Sequence, residues 1–412
     1  MSSTPLAIDS GRLMETFEAM NRIGATAAGG VHRLALSEED RRARDLLVHW
    51  ARQSGYAVAV DAIGSVFLRR DGRDGDAPPI VIGSHLDSQP MAGRYDGPAG
   101  VLTALEVLRT LDDAGIATAR PVEVVDWTNE EGARFAPPLL GSAVFSGALG
   151  LDDALAITDA DGVVLGDALA DIGYAGAEQP GHPIAGYVEV HIEQGRVLER
   201  RGASIGIVTG VVGIRDLRIT VTGESTHAGP TPLADRRDAL VGASEMVLAL
   251  NRLGLDRGEG ARVTVGRFEV PSASHSVVPG RVAFVVDLRH PAQEGVDGLE
   301  AEVRETVRAI GEERGLDVTI EPFFSNPARP FHDDVRSAIA RAAAAHGLPV
   351  HDLPSWAGHD AWNMAPLAPS GMIFIPCRDG VSHNEAEHAE PRHLIDAANV
   401  LLGTTLALAG PA

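Results

Sequence analysis

The chain has one cysteine, Cys377, among its 412 residues. That excludes an intrachain disulfide framework and fits a reducing compartment. Aromatic residues make up only 4% against 44% apolar overall, so the core must be built from Val, Leu, Ile and Ala. Basic residues are in deficit, 35 against 57 acidic, for a net charge of −22. An acidic surface argues against nucleic acid and anionic membranes as partners, since both reward a basic one. It still allows a small anionic substrate, because one pocket arginine overrides the net charge locally. No apolar run approaches the roughly 18–20 residues of a membrane span. Met1–Ser10 shows no basic region followed by an apolar stretch, so no secretory signal is visible. These exclusions leave a cytoplasmic enzyme as the expectation.

Four short runs supply what the composition does not. Ile80-Val81-Ile82 leads into Gly83-Ser84-His85-Leu86-Asp87-Ser88, with Asp96-Gly97 nine residues after Asp87. Pro121–Trp127 is followed by Glu130-Glu131-Gly132, and Gly186–Val190 by His191-Ile192-Glu193-Gln194-Gly195. Met372–Pro376 precedes Ser382-His383-Asn384-Glu385. Each apolar run reads as a buried strand that delivers His, Asp or Glu to its C-terminal end, the edge where open α/β sheets bind ligands. Imidazole mixed with carboxylate suits Zn, Mn, Co or Ni rather than Ca or Mg. Taken singly each run has a plainer reading, as a loop, a solvated acidic face or a satisfied core histidine. Their recurrence at one topological place points to a metal hydrolase.

The pattern along the chain predicts an α/β fold. A mostly parallel-sheet metal-binding catalytic domain holds an inserted ferredoxin-like α+β lid or dimerisation domain. Ser37–Gly55 reads as a helix capped by Ser37, and two short strands follow around Tyr56–Arg70. Strand Pro79–Ser84, helix Pro98–Ala114 and strand Pro121–Trp127 alternate as a parallel sheet requires. Val101, Leu105, Leu108 and Leu111 place one apolar face on that helix. After Gly210 the order becomes β-α-β-β-α-β: Asp216–Gly223, helix Arg236–Leu253 with a stripe of Leu240, Ala243, Val247 and Leu250, Ala261–Val270, Arg281–His290, helix Gly295–Gly315 and Leu316–Phe324. Helix His332–Gly347, strand Met372–Pro376 and helix Arg392–Ala409 then return to the first domain. The expected boundaries are 1–212 and 328–412 for the discontinuous catalytic domain and 213–327 for the insert.

Five residues can make a paired-metal site: His85, Asp96, Glu131, His191 and His383, with an Asp bridging two cations. Such pairs lie about 3.5–4 Å apart and acidify a shared water into a nucleophile. Asp87 is placed to fix the tautomer of His85 rather than to ligate. Of the adjacent Glu130 and Glu131, one is a ligand and the other the general base, and spacing alone does not separate them. Arg289, at the end of the run Asp287-Leu288-Arg289-His290, offers a guanidinium fork for a substrate carboxylate. Its plainer role is a strand-end arginine paired with Asp287. His227 could donate to the oxyanion of a tetrahedral intermediate, or be an ordinary surface histidine.

The runs G-S-H-L-D-S, G-R-Y-D-G-P-A-G-V, T-N-E-E-G-A-R-F, H-I-E-Q-G, T-H-A-G-P-T-P, V-D-L-R-H, A-G-H-D-A and S-H-N-E-A-E occur in this order from residue 83 to 387. Together they resemble the N-carbamoyl-L-amino-acid hydrolase, beta-ureidopropionase and allantoate amidohydrolase family of two-metal enzymes, over nearly the whole chain. The resemblance implies His85, Asp96, Glu131, His191 and His383 as ligands, with Asp96 bridging and Glu130 as base. It implies two divalent ions per subunit, zinc first and Mn, Co or Ni as alternatives. Gln194, His227, Arg289 and Gly358 become substrate contacts, with His359 beside Gly358. In the family the inserted domain makes a homodimer, and the histidine matching His227 reaches the partner's site. Relatives usually carry Asn where this chain has Ser276, whose hydroxyl is shorter and offers less. The substrate end it touches is therefore expected to be held differently.

The expected substrate is a small carboxylate-bearing ureide or amide, first an N-carbamoyl-L-amino acid cleaved to amino acid, ammonia and carbon dioxide. Allantoate, or an N-acyl amino acid or dipeptide, are alternatives. A metal-free binding protein on the same fold, and an interaction module acting through the insert, are readings of another class.

Overall fold

The computed structural model describes residues 5–271 and 274–410. The chain divides into two compact units. One runs to Gly210 and resumes at Phe331; the other is Val211–Pro330.

The first unit is a mixed α/β structure around one sheet. Its strands lie in the order Ala57–Val60, Val66–Arg70, Val122–Trp127, Ile80–His85, Gly186–Ile192, Ser370–Ile375 and Ile205–Val211, and Val350–Ser355 pairs with the last. The four central strands, Val122–Trp127 through Ser370–Ile375, are parallel, and those flanking them pair antiparallel. Every residue of these four is buried. That is why they read as continuous Val/Ile runs rather than alternating ones: a parallel sheet is covered on both faces. Helices Pro98–Asp113 and Pro391–Ala409 pack on each other and on the sheet. The first begins after Gly97 (φ 82°) with Pro98 at its first turn, where a missing N–H costs nothing. Helix Glu38–Gln53 starts where Ser37 accepts from Asp40 N, followed by three acidic residues that complement the helix dipole. Among the described residues no helix is long and apolar enough to cross a membrane.

The strand expected to end at Val190 continues to Ile192, because Phe374 and Ile375 of the neighbouring strand pair with His191 and Ile192. His191 is therefore held inside the sheet rather than in a loop. Helix Ser10–Met20 and strands Ile205–Val211 and Val350–Ser355 have no counterpart in the sequence reading.

The second unit is a four-stranded antiparallel sheet in the order Asp317–Asn326, Gly213–Thr222, Arg281–His290 and Arg262–Glu269. Helices Ala239–Asp256 and Gln293–Glu313 pack against it. Leu217, Ile219 and Val221, with Val282, Phe284, Val286 and Leu288, alternate along their strands and close one core with both helices. The first helix was expected from Arg236. It starts at Ala239 because the Asp238 side chain accepts from Leu240 N and Val241 N, leaving Arg236 and Arg237 outside. Met246, not the expected Val247, completes its buried stripe; Val247 is half-buried.

Candidate metal centre

His85 is the last residue of strand Ile80–His85, and Asp96 precedes the Gly97 turn into helix Pro98–Asp113. A Cβ at Gly97 would overlap the His85 ring, so a glycine is required for the imidazole to sit there. Nδ1 of His85 lies 3.0 Å from the carbonyl oxygen of Asp87, and Nδ1 of His191 lies 3.0 Å from that of Ile192. Both rings thus donate from Nδ1, which leaves Nε2 as the nitrogen that faces Asp96.

The sequence reading gave the Asp87 carboxylate the task of fixing His85, and this is corrected. The Asp87 carbonyl does it, while the carboxylate oxygens accept from Glu130 N at 3.1 Å and Glu131 N at 3.2 Å. Asp87 therefore sets the backbone of the acidic pair. Burial, reinforced by Asp40, raises its carboxyl to about 7. Gln89 holds Glu131 in turn, donating from Nε2 to Oε2 at 3.0 Å and from its backbone N to Oε1 at 3.2 Å.

Asp96 is common to two groups of side chains that could each hold a cation: His85, Asp96 and His191, and Asp96, Glu131 and His383. Its Oδ1 lies 3.0 Å from His191 Nε2 and 3.8 Å from His85 Nε2. Its Oδ2 lies 3.4 Å from His383 Nε2, which is also 3.4 Å from Glu131 Oε2. Nε2 of His85 and of His191 are buried without a hydrogen-bond partner; the His191–Asp96 approach is close enough for an ion pair but not aligned for a hydrogen bond. Buried lone pairs aimed at carboxylate oxygens are costly unless a proton or cation lies between them. The donor set, three imidazoles with carboxylates, fits a pair of borderline transition-metal ions.

Glu130 stands beside the first group, its Oε2 3.4 Å from His85 Nε2. Burial, then the nearby Asp360 carboxylate, raises its carboxyl well above the ordinary range. Burial and Asp96 do the same to Glu131. Burial lowers His85 to about 4. Burial also opposes charge on His191, yet the adjacent Asp96 outweighs it and lifts that imidazole to about 9. Gln194 (φ 57°) donates from Nε2 to Asp96 Oδ2 at 2.8 Å.

His359 is buried, with neither ring nitrogen hydrogen-bonded, and packs edge-on against His191 with centroids 4.4 Å apart. Gly358 beside it is exposed. Residues absent from the sequence reading support the centre. Glu189 shares the strand face of His191 and accepts from Ser84 Oγ at 2.8 Å and Ala361 N at 3.0 Å. Its two-residue spacing from His191 was the available signal. Asp360 pairs with Ser142 Oγ at 2.5 Å and Glu387 with the backbone of Asp96; only tertiary contacts reveal these roles.

His227, Ser276 and Arg289 belong to the second unit. His227 is exposed, and Val277 pairs with it across a short antiparallel ladder in which Ala228 N donates to Ser276 O at 2.9 Å. Arg289 forms the pair with Asp287 that was its plainer reading, with Nη2 2.9 Å and Nε 3.0 Å from the carboxylate.

A family model described as Peptidase family M20/M25/M40 matches residues 81–407. The chain belongs to Peptidase family M20/M25/M40. An N-carbamoyl-L-amino-acid amidohydrolase of Rhizobium meliloti is 39% identical, over 97% of this chain and 96% of its own. An allantoate amidohydrolase of Bacillus subtilis is 32% identical over 93% of each chain. The crystal structure of a hydantoinase/carbamoylase family amidase from Burkholderia ambifaria is 48% identical, covers 99% of both chains and superposes with a TM-score of 0.94. The matched M20/M25/M40 segment contains every residue of the two groups that share Asp96 and could hold a cation.

Proposed function

We propose that this chain is a metal-dependent amidohydrolase that cleaves the linear C–N bond of an N-carbamoyl-L-amino acid. One water is consumed, and amino acid, ammonia and carbon dioxide are formed. The observation that carries the reading is the pair of candidate cation sites sharing Asp96, with the buried Nε2 atoms of His85 and His191 facing it. The named Rhizobium meliloti relative supports the substrate class.

In this reading His85 and His191 would hold one divalent ion, Glu131 and His383 the other, and Asp96 would be shared by both. Zinc is the first choice, with Mn, Co or Ni as alternatives. Ions so held would lower the pKa of water and polarise the ureido carbonyl. Glu130 takes the proton from the attacking water and returns it to the departing nitrogen. Asp87 keeps Glu130 and Glu131 aimed apart by holding both backbone amides. Gln194, Gly358 and His359 line the substrate side. Arg289, oriented by Asp287, is the group for the substrate carboxylate, and His227 the donor to the developing oxyanion in the partner subunit's site.

A homodimer through the second unit is part of the proposal. Val241, Leu248 and Leu255 are 47%, 73% and 73% exposed, seven residues apart on one helix face. Strand Arg262–Glu269 beside them is a sheet edge. An apolar stripe along an open edge is the kind of surface a second copy covers. The composition argues for the cytoplasm.

Allantoate hydrolysis is the second reading, favoured by the Bacillus subtilis relative. Ammonia release from carbamoyl, acyl and allantoate substrates, measured after reconstitution with each ion, separates the two. The carbamoyl amino acid should give the highest kcat/KM. Turnover of allantoate alone would select the second reading, and under one metal per chain with no turnover would favour a binding protein.

A further inference from the structure

Glu387 closes the S-H-N-E-A-E run, four residues beyond His383, and is 2% exposed. Its Oε1 accepts from the backbone N–H of Tyr95 at 2.9 Å and of Asp96 at 3.2 Å. Its Oε2 faces Ser382 Oγ at 3.2 Å, and its own N–H donates to Asn384 O at 3.0 Å, closing the turn that directly follows His383. Ser382 Oγ has one proton and two acceptors, and Asp96 Oδ2 at 2.6 Å is the nearer. A Cβ at Gly93 would overlap the Glu387 carboxylate, so the loop leading to Asp96 wraps the group without spare room. One buried carboxylate thus ties two segments about 290 residues apart in sequence. One supplies Asp96, shared by both cation-binding groups; the other supplies His383, which is half-exposed and sits at φ 53°.

We propose that Glu387 is a positioning residue of the metal centre: it clamps the Tyr95–Asp96 backbone to the Ser382–Glu387 segment so that Asp96 and His383 face the same cation. The inference rests on the two-cation reading above. His85 and His191 sit on strands of the central sheet and are placed without Glu387. Asp96 and His383 sit on loops, whose geometry needs an external anchor. The group formed by Asp96, Glu131 and His383 should therefore depend on Glu387 more than the other.

The test is cobalt(II) titration of the full-length protein, followed by visible absorption and by stoichiometry, with folding checked by circular dichroism. Glu387→Ala should lose about 10- to 100-fold in affinity for one of two cobalt ions, the range seen when groups supporting metal ligands are removed. Glu387→Asp, one methylene too short, should behave alike. Gly93→Ala, which displaces the same carboxylate from the other side, should as well. Glu387→Gln should restore binding close to wild type. Its amide oxygen can accept both N–H groups, and its NH₂ can donate to Ser382 Oγ while that hydroxyl keeps its proton on Asp96. If Glu387→Ala does not fold, Gly93→Ala and the Gln–Asp contrast decide. A merely structural carboxylate would lower the melting temperature in all variants and leave the cobalt spectrum of the folded protein unchanged; that result overturns the proposal. So does Gln binding no better than Ala. Wild-type protein that takes up no cobalt would remove the two-cation reading itself, and the clamp with it.

Discussion

Metal affinity should rise steeply with pH across the neutral range, and His191 sets the slope. In the metal-free chain the Asp96 carboxylate, 3.0 Å from Nε2, holds His191 protonated up to about 9 despite its burial. His85, lowered to about 4, is neutral throughout. A cation entering the group with His85, Asp96 and His191 must displace the His191 proton, because only the neutral imidazole has a lone pair to give. A raised pKa means the competing proton is bound below about 9 and absent above it. Affinity therefore climbs as pH rises and levels off near that value. One proton displaced corresponds to a tenfold change per pH unit, hence about 100-fold, or about 2.7 kcal/mol, between pH 6 and 8. Burial and neighbouring carboxylates, Asp360 for Glu130 and Asp96 for Glu131, also raise these two groups, so any proton they hold is displaced as well and steepens the slope. Isothermal titration with Mn or Co at pH 6, 7 and 8, in buffers of different ionisation enthalpy, gives both the affinity and the protons released. Affinity unchanged from pH 6 to 8 would show that His191 carries no competing proton, and the electrostatic account of the centre would be wrong.

Glu130→Gln should keep both metals and lose on the order of 10²–10⁴ in turnover; metal content falling in step with rate would make Glu130 a ligand. Arg44→Met should destabilise the first unit by about 3–5 kcal/mol. The fully buried guanidinium lies 3.0 Å from Asp40 and 3.9 Å from Asp126, and denaturant unfolding should register the two carboxylates left without it. A loss below about 1 kcal/mol, the value of an exposed pair, would contradict that. Leu248→Glu puts a charge in the middle of the exposed stripe and should yield monomers by light scattering; an unchanged dimer would move the interface elsewhere.

What could be read from the sequence follows from what is local. Helix Pro98–Asp113 shows a periodic apolar face and a Gly-Pro start, and the central strands are unbroken Val/Ile runs. The residues singled out at the strand ends stand together because a parallel sheet brings all its C-terminal ends to one edge. Helix Ser10–Met20 was missed although its signal is local: Asp9 caps it, and Leu13, Phe17 and Met20 recur at helical spacing. Asp87 shows the limit at the site. Spacing placed it near His85 but could not say that its carbonyl would face the ring and its carboxylate the Glu130–Glu131 amides. Glu387 and Gln89 act on residues far away or on backbone atoms, for which no residue pattern exists. Arg289 and Asp287 share a strand face two residues apart, so their pairing was readable, whereas a substrate carboxylate leaves no trace in sequence.

The claim on which the account turns is that Asp96 joins two cations, and anomalous diffraction from crystals grown with Mn or Zn tests it most directly. Two peaks about 3.5–4 Å apart should flank the Asp96 carboxylate, one against His85 and His191 and the other against Glu131 and His383. A single peak away from Asp96, or none at saturating metal, would contradict it.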